Sequence, residues 1–173
     1  MRNLMALGLC ITLAFAFAHG GAGKDGKDAK DKGGHAMDEH TFVKPGDIKW
    51  GPAPPGLPAG AQTAVLTGDP GKAGSPYVIR AKLPDGYTVP PHWHPSDENV
   101  TVLKGMLIVG RGDKYDSKHE TELPAGGYMR MPKEMKHYAK AKGETILQIH
   151  GTGPFDISYV NKSEDPRISK DKK

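Results

Sequence analysis

The stretch Gly86-Tyr87-Thr88-Val89-Pro90-Pro91-His92-Trp93-His94-Pro95-Ser96-Asp97-Glu98, running on to Gly105, decides how this chain is read. Side chains two apart on a strand project to one face, so His92 and His94 present their imidazoles to a common point while Trp93 faces away. Pro95 favours a bend after the pair, and Glu98 opens the next predicted strand and returns a carboxylate toward the same point. A further ligand has to come from elsewhere in the fold. His137 is the best candidate, because it follows Gly126, five intervening residues and Pro132 in a second segment that reads as strand, turn, strand. Three neutral imidazoles and one carboxylate form a donor set suited to divalent Mn, Fe, Ni, Co, Cu or Zn, with water or substrate in the remaining positions.

Outward from this segment, the chain has 173 residues and 36% hydrophobic content, enough for one ordinary domain. Its 23 Gly and 15 Pro leave little uninterrupted sequence for long helices and favour short strands joined by tight turns. Strand-like runs are predicted at Gln62 to Leu66, Tyr77 to Leu83, Tyr87 to His92, Asn99 to Lys104, Met106 to Arg111, Tyr128 to Met131, Thr145 to His150 and Phe155 to Val160. Turn signals such as Gly68-Asp69-Pro70-Gly71, Pro84-Asp85-Gly86 and Lys104-Gly105 separate them. The spacing predicts an all-β sandwich or barrel of antiparallel strands.

The termini read differently. Residues 1–18 have the anatomy of a secretory signal peptide, with Arg2, an apolar run from Leu4 to Phe17, and small residues at Ala16 and Ala18. Export to the periplasm or the extracellular space is therefore expected, with no membrane association once the leader is removed. Cys10 is the single cysteine and falls in that leader, so the mature protein has neither disulfides nor thiolate metal ligands. Residues 19–41, with Lys24-Asp25-Gly26-Lys27-Asp28-Ala29-Lys30-Asp31, carry almost nothing apolar and read as a disordered linker. Residues 42–61, with Pro52, Pro54 and Pro55 beside Trp50, read as an extended arm, residues 62–160 as the domain, and residues 161–173 as a loose charged tail.

The net charge of +4 does not imply nucleic acid. Removing the leader, linker and tail leaves a net of +2 between Phe42 and Val160, with the signs interspersed. Counterion release needs clustered cations, so no nucleic-acid partner is expected.

The pattern Gly86-x5-His92-x-His94-x3-Glu98-x6-Gly105 resembles the first cupin motif in full, and Gly126-x5-Pro132-x4-His137 resembles much of the second. The resemblance covers roughly Gln62 to Val160 and implies a single jelly-roll β-barrel with a metal held inside by His92, His94, Glu98 and His137. Two positions depart from it: Glu134 stands where the second motif usually has glycine, and Ala141 where it often has asparagine.

The resemblance implies a small-molecule metalloenzyme of dioxygenase, decarboxylase or isomerase type, with Glu98 moving a proton. His150 and Gln148 alternate with Leu147 and Ile149, so His150 is a second expected acid-base group, equally readable as part of a solvated strand face. The alternative reading is a non-catalytic metal- or ligand-binding module that docks to another protein. A homodimer formed by exchange of the arm is compatible with the sequence, and so is a monomer.

Overall fold

The computed structural model describes residues 40–169. The expected signal peptide, nearly all of the expected linker and the last four residues lie outside them. The strands are β1 (Gly51–Pro52), β2 (Gln62–Gly68), β3 (Pro76–Leu83), β4 (Thr88–Trp93), β5 (Glu98–Arg111), β6 (Glu120–Pro124), β7 (Tyr128–Met131), β8 (His137–Thr152) and β9 (Ser158–Tyr159). One α-turn, α1 (Pro166–Ser169), follows. All pairings are antiparallel.

Two long strands make this curled sheet into a barrel. β5 and β8 pair along almost their whole length, from Asn99↔His150 to Arg111↔His137, with irregular register on either side of Lys104. The second half of β8 pairs with β3, and the first half pairs with β4. The two strands thus pass from one layer to the other, and the bend falls where Gly105 and Gly143 adopt φ of +75° and +73°. At Gly105 a Cβ would also collide with the Glu144 carbonyl, so only glycine fits that corner.

The interior follows the period of two expected of strands with one buried face. On β3, Tyr77, Ile79, Ala81 and Leu83 are buried and alternate with half-buried residues. Val100, Val102, Leu107 and Val109 of β5 face them together with Leu147 and Ile149 of β8. On the opposite face of β8, Tyr138 is wholly buried against Gly110, its cross-strand partner. Its hydroxyl donates to Glu120 Oε1 at 2.9 Å and accepts from Asp116 N at 2.8 Å.

The arm is clipped onto the barrel by two tyrosines. Tyr87 Oη donates to Pro58 O at 2.6 Å and Tyr159 Oη to Gly56 O at 2.7 Å, while Lys82 Nζ lies 4.4 Å above the Trp50 ring.

Several boundaries differ from the sequence reading. The two strands expected on either side of Gly105 are one bent strand, the Phe155 to Val160 run forms only the short β9, and β6 was not expected. Of the segment expected to be a loose tail, the described part packs. Asp165 is buried, and its carboxylate accepts from Arg167 Nε and from the second guanidinium arm, both at 2.9 Å. The same arm donates to Ile157 O at 2.8 Å.

Glu134, the residue that departs from the motif's glycine, has φ of +63°, and its N–H donates to His94 O at 2.8 Å. The backbone keeps the left-handed turn that glycine normally eases, at a cost of about 1 kcal/mol to a side chain with a Cβ. Glu134→Gly is therefore expected to leave stability unchanged or raise it by about 0.5 kcal/mol, the released strain being partly offset by a more mobile unfolded chain. Urea denaturation checks this. A loss above about 1 kcal/mol would mean that the Glu134 side chain itself stabilises the turn.

Candidate metal centre

Four buried side chains converge inside the barrel. His92 and His94 come from β4 and the turn after it, Glu98 from the first position of β5, and His137 from the first position of β8, opposite His92 in register. The cross-strand pairing of His92 with His137 explains why residues 45 apart in sequence meet. Ring centroids lie 4.2 Å apart for His92 and His137, 4.9 Å for His92 and His94, and 5.4 Å for His94 and His137. One nitrogen from each ring falls within 4.8 Å of the other two. Glu98 Oε2 is 3.2 Å from His137 Nε2 and 3.7 Å from His94 Nε2.

Backbone carbonyls set the tautomer of every ring. His92 Nδ1 lies 2.7 Å from Pro90 O, His94 Nδ1 2.6 Å from Asp156 O, and His137 Nδ1 3.0 Å from Met135 O. A carbonyl oxygen can only accept, so each Nδ1 carries the proton and each neutral ring keeps its lone pair on Nε2. This is the outer-shell arrangement that orients metal-binding histidines. Phe155 stacks on the His94 ring at 4.7 Å and 23° and fixes its plane.

The inward atoms lack partners of their own. His94 Nε2 and Glu98 Oε2 are buried, and no described protein group hydrogen-bonds either one. Leaving such groups unsatisfied is costly, and a cation between the lone pairs and the carboxylate would satisfy both. The donor set therefore fits a divalent transition ion held by nitrogen and oxygen.

Electrostatics keep His92, His94 and Glu98 in the matching protonation states. Burial, reinforced by the His137 and His94 imidazoles, lowers the pKa of His92 to about 3. Burial likewise lowers that of His94, against the pull of Glu98. For Glu98, burial pushes upward, but the His137 imidazole 3.2 Å away and the other two rings outweigh it and hold the carboxyl well below its ordinary value. His137 moves the other way: burial lowers it, but the Glu98 carboxylate outweighs burial and raises it.

Metal-free protein should lose stability with acid. The contributions of His92 and His94 are complete above about pH 6.5 and are lost as pH falls toward the lowered folded values, because the unfolded chain takes up protons that the folded one refuses. Glu98 adds to the loss below the ordinary carboxylate range, again because its folded value is depressed. His137, with a raised folded value, contributes stability below pH 6.5 that is lost as pH rises through that value. The losses outnumber this gain, so the melting temperature in chelator should fall steadily between pH 7 and pH 4. A flat or rising calorimetric profile would contradict the assigned directions.

The four side chains line a cavity of about 460 Å3. Its walls are almost entirely apolar, including Ile79, Val89, Val100, Leu107, Leu147 and Ile149. Residues Pro54 to Leu57 of the arm and Arg167 of α1 complete the lining. Arg167 also reaches Asp156 Oδ1 at 3.3 Å, so the C-terminal segment braces the residue whose carbonyl holds His94.

His92, His94, Glu98 and His137, expected together, are brought together. His150 is not among them. Leu147 and Ile149 point into the cavity, and strand alternation turns His150 and Gln148 to the other face, where Gln148 Oε1 accepts from Arg80 at 3.5 Å. The expected catalytic role of His150 is corrected on that ground. The sequence reading also missed Asp156 and Arg167, whose roles run through a main-chain carbonyl and a polar anchor that no side-chain pattern announces.

Solved structures of the same architecture include a provisionally assigned acetylacetone dioxygenase of Methylibium petroleiphilum, at 17% identity and a TM-score of 0.57, matched over 74% of this chain and 85% of that one. The polyketide cyclase RemF of Streptomyces resistomycificus matches at 18% and 0.57, over 76% and 93%. KdgF of a Halomonas species matches at 17% and 0.50, over 66% and 94%. At these identities the likeness is one of fold. No curated protein matches the sequence. The profile of the ChrR cupin-like domain matches residues 38–156, a span that takes in the arm, the barrel through β8 and every residue of the His and Glu cluster. The chain therefore belongs to the cupin superfamily, in the family of ChrR cupin-like domains.

Proposed function

We propose that this protein is an exported metalloenzyme that binds a divalent transition ion through His92, His94, His137 and Glu98 and acts on a small, largely apolar molecule bearing oxygen ligands. The observation that carries the reading is the set of three imidazoles with their Nδ1 atoms tied to carbonyls and one nitrogen of each within 4.8 Å of the other two, the Nε2 atoms of His94 and His137 lying 3.7 and 3.2 Å from a buried, ionised Glu98. A bound ion would supply Lewis acidity toward a coordinated oxygen. The chain's own contribution is more specific. The apolar walls exclude water and select an apolar body, while the Phe155 stack and the three carbonyls fix the rings. Glu98, kept ionised at neutral pH, is equipped to accept a proton rather than donate one. Two structures of this fold bear names that refer to small oxygenated molecules, acetylacetone and a polyketide, which supports the substrate class. Export rests on the anatomy of residues 1–18.

The test is elemental analysis of protein purified from its native host, followed by a screen of small oxygenated apolar compounds with the loaded form. One equivalent of a transition metal and turnover that disappears in Glu98→Gln are expected. Metal without turnover on any compound would favour the binding-module reading. Protein free of metal, with a melting point indifferent to chelator, would overturn both.

A further inference from the structure

The barrel has a second concavity, about 450 Å3, outside the metal centre. It lies where β6 and β7 flank the interior, each paired only with β5 among the described residues. Val109, Leu123, Met129, Met131 and Met135 give it an apolar lining, and Arg111 stands at its rim. Met129 also lines the metal cavity, so this side chain is shared by the two spaces.

Charge singles out Arg111. Of the basic side chains around the groove, Arg130 is engaged by Asp97 at 2.6 and 3.1 Å, and His119 by Asp116 at 2.7 Å. Arg111 has no acidic partner within ion-pair distance among the described residues. An apolar trough of this size with a single uncommitted guanidinium at its edge is complementary to an apolar molecule with one negative charge. The flexible, polarisable methionines suit a tail of variable shape.

We propose that this groove is a binding site for a small apolar monoanion of the alkyl or aryl carboxylate class, with Arg111 receiving the carboxylate and Leu123, Met129 and Met131 receiving the tail. The groove adjoins the metal centre, since Arg111 and Met131 are the cross-strand partners of His137 and Glu98, but none of the four centre residues lines it and its occupancy does not require a bound ion.

Calorimetric titration of the full chain with sodium decanoate, with and without chelator, tests this. Saturable binding is expected in both conditions, weakened roughly 10-fold or more in Arg111→Gln through loss of a charge-assisted pair, and abolished in Leu123→Glu. In amide NMR spectra of each variant, a preserved fold is expected. In wild type, decanoate should shift Thr121 and Arg130 rather than Val89 and Ala139. Equal affinity in Arg111→Gln, or shifts confined to the inner cavity, would overturn the proposal. So would a concentration-dependent dimer that Leu123→Glu disperses, since the groove would then be a contact between two copies. Because chelation is one arm, a failure of the metal reading leaves this result interpretable.

Discussion

Titration of His137→Ala with Co(II) or Zn(II) is expected to show affinity at least about 100-fold below wild type. That loss exceeds the ~10- to 100-fold typical of outer-shell changes, because a ligand itself is removed. The substitution also takes away the imidazole closest to Glu98, at 3.2 Å, and leaves a buried carboxylate facing one lone pair fewer. His94→Ala should behave in the same way, since the ring carries a partnerless Nε2 that lies 3.7 Å from the same Glu98 oxygen. His150→Ala provides the contrast: on the far face of β8 it should bind metal with wild-type affinity. Equal affinities for His137→Ala and wild type, measured on folded protein by circular dichroism, would remove the centre assigned here.

The second large effect is on stability. Gly110→Ala is expected to cost about 3 kcal/mol, lowering the melting temperature by about 10 °C in a domain of this size. A methyl group on Gly110 would overlap the ring of Tyr138, which is wholly buried and cannot swing aside. Its hydroxyl is fixed from two directions, by Glu120 and by Asp116 N, and Lys140 Nζ is 2.6 Å from the same Glu120 oxygen. The double variant Gly110→Ala with Tyr138→Leu should recover part of the loss, because the clash disappears with the ring. A single variant within about 0.5 kcal/mol of wild type would show that the strand can spread at this pair.

The candidate site was more legible than the strands that carry it. His92 and His94 share a face through strand parity alone, and the Gly, Pro and His spacing around His137 pointed to the same centre. Parity also misled: with Leu147 and Ile149 inside, His150 had to lie outside, but the sequence does not say which face of β8 is the inner one until its pairing with β3 is known. Gly105 read as a turn because glycine with positive φ usually ends a strand, whereas here it and Gly143 bend two strands that continue. The first half of β8, His137-Tyr138-Ala139-Lys140-Ala141-Lys142, and β6, Glu120-Thr121-Glu122-Leu123-Pro124, carry few β-branched residues, and hydrophobic runs do not find them. The packed part of the tail was missed for a different reason. Asp165 and Arg167 anchor it by ionic hydrogen bonds, and polar composition alone reads as solvated chain.

That anchor makes the carboxyl end of the polypeptide a handle on its centre. Trimming by a carboxypeptidase past Arg167 would release the Asp156 and Ile157 loop and loosen the carbonyl that aims His94. Protein trimmed past Arg167 should therefore retain less metal than the intact chain.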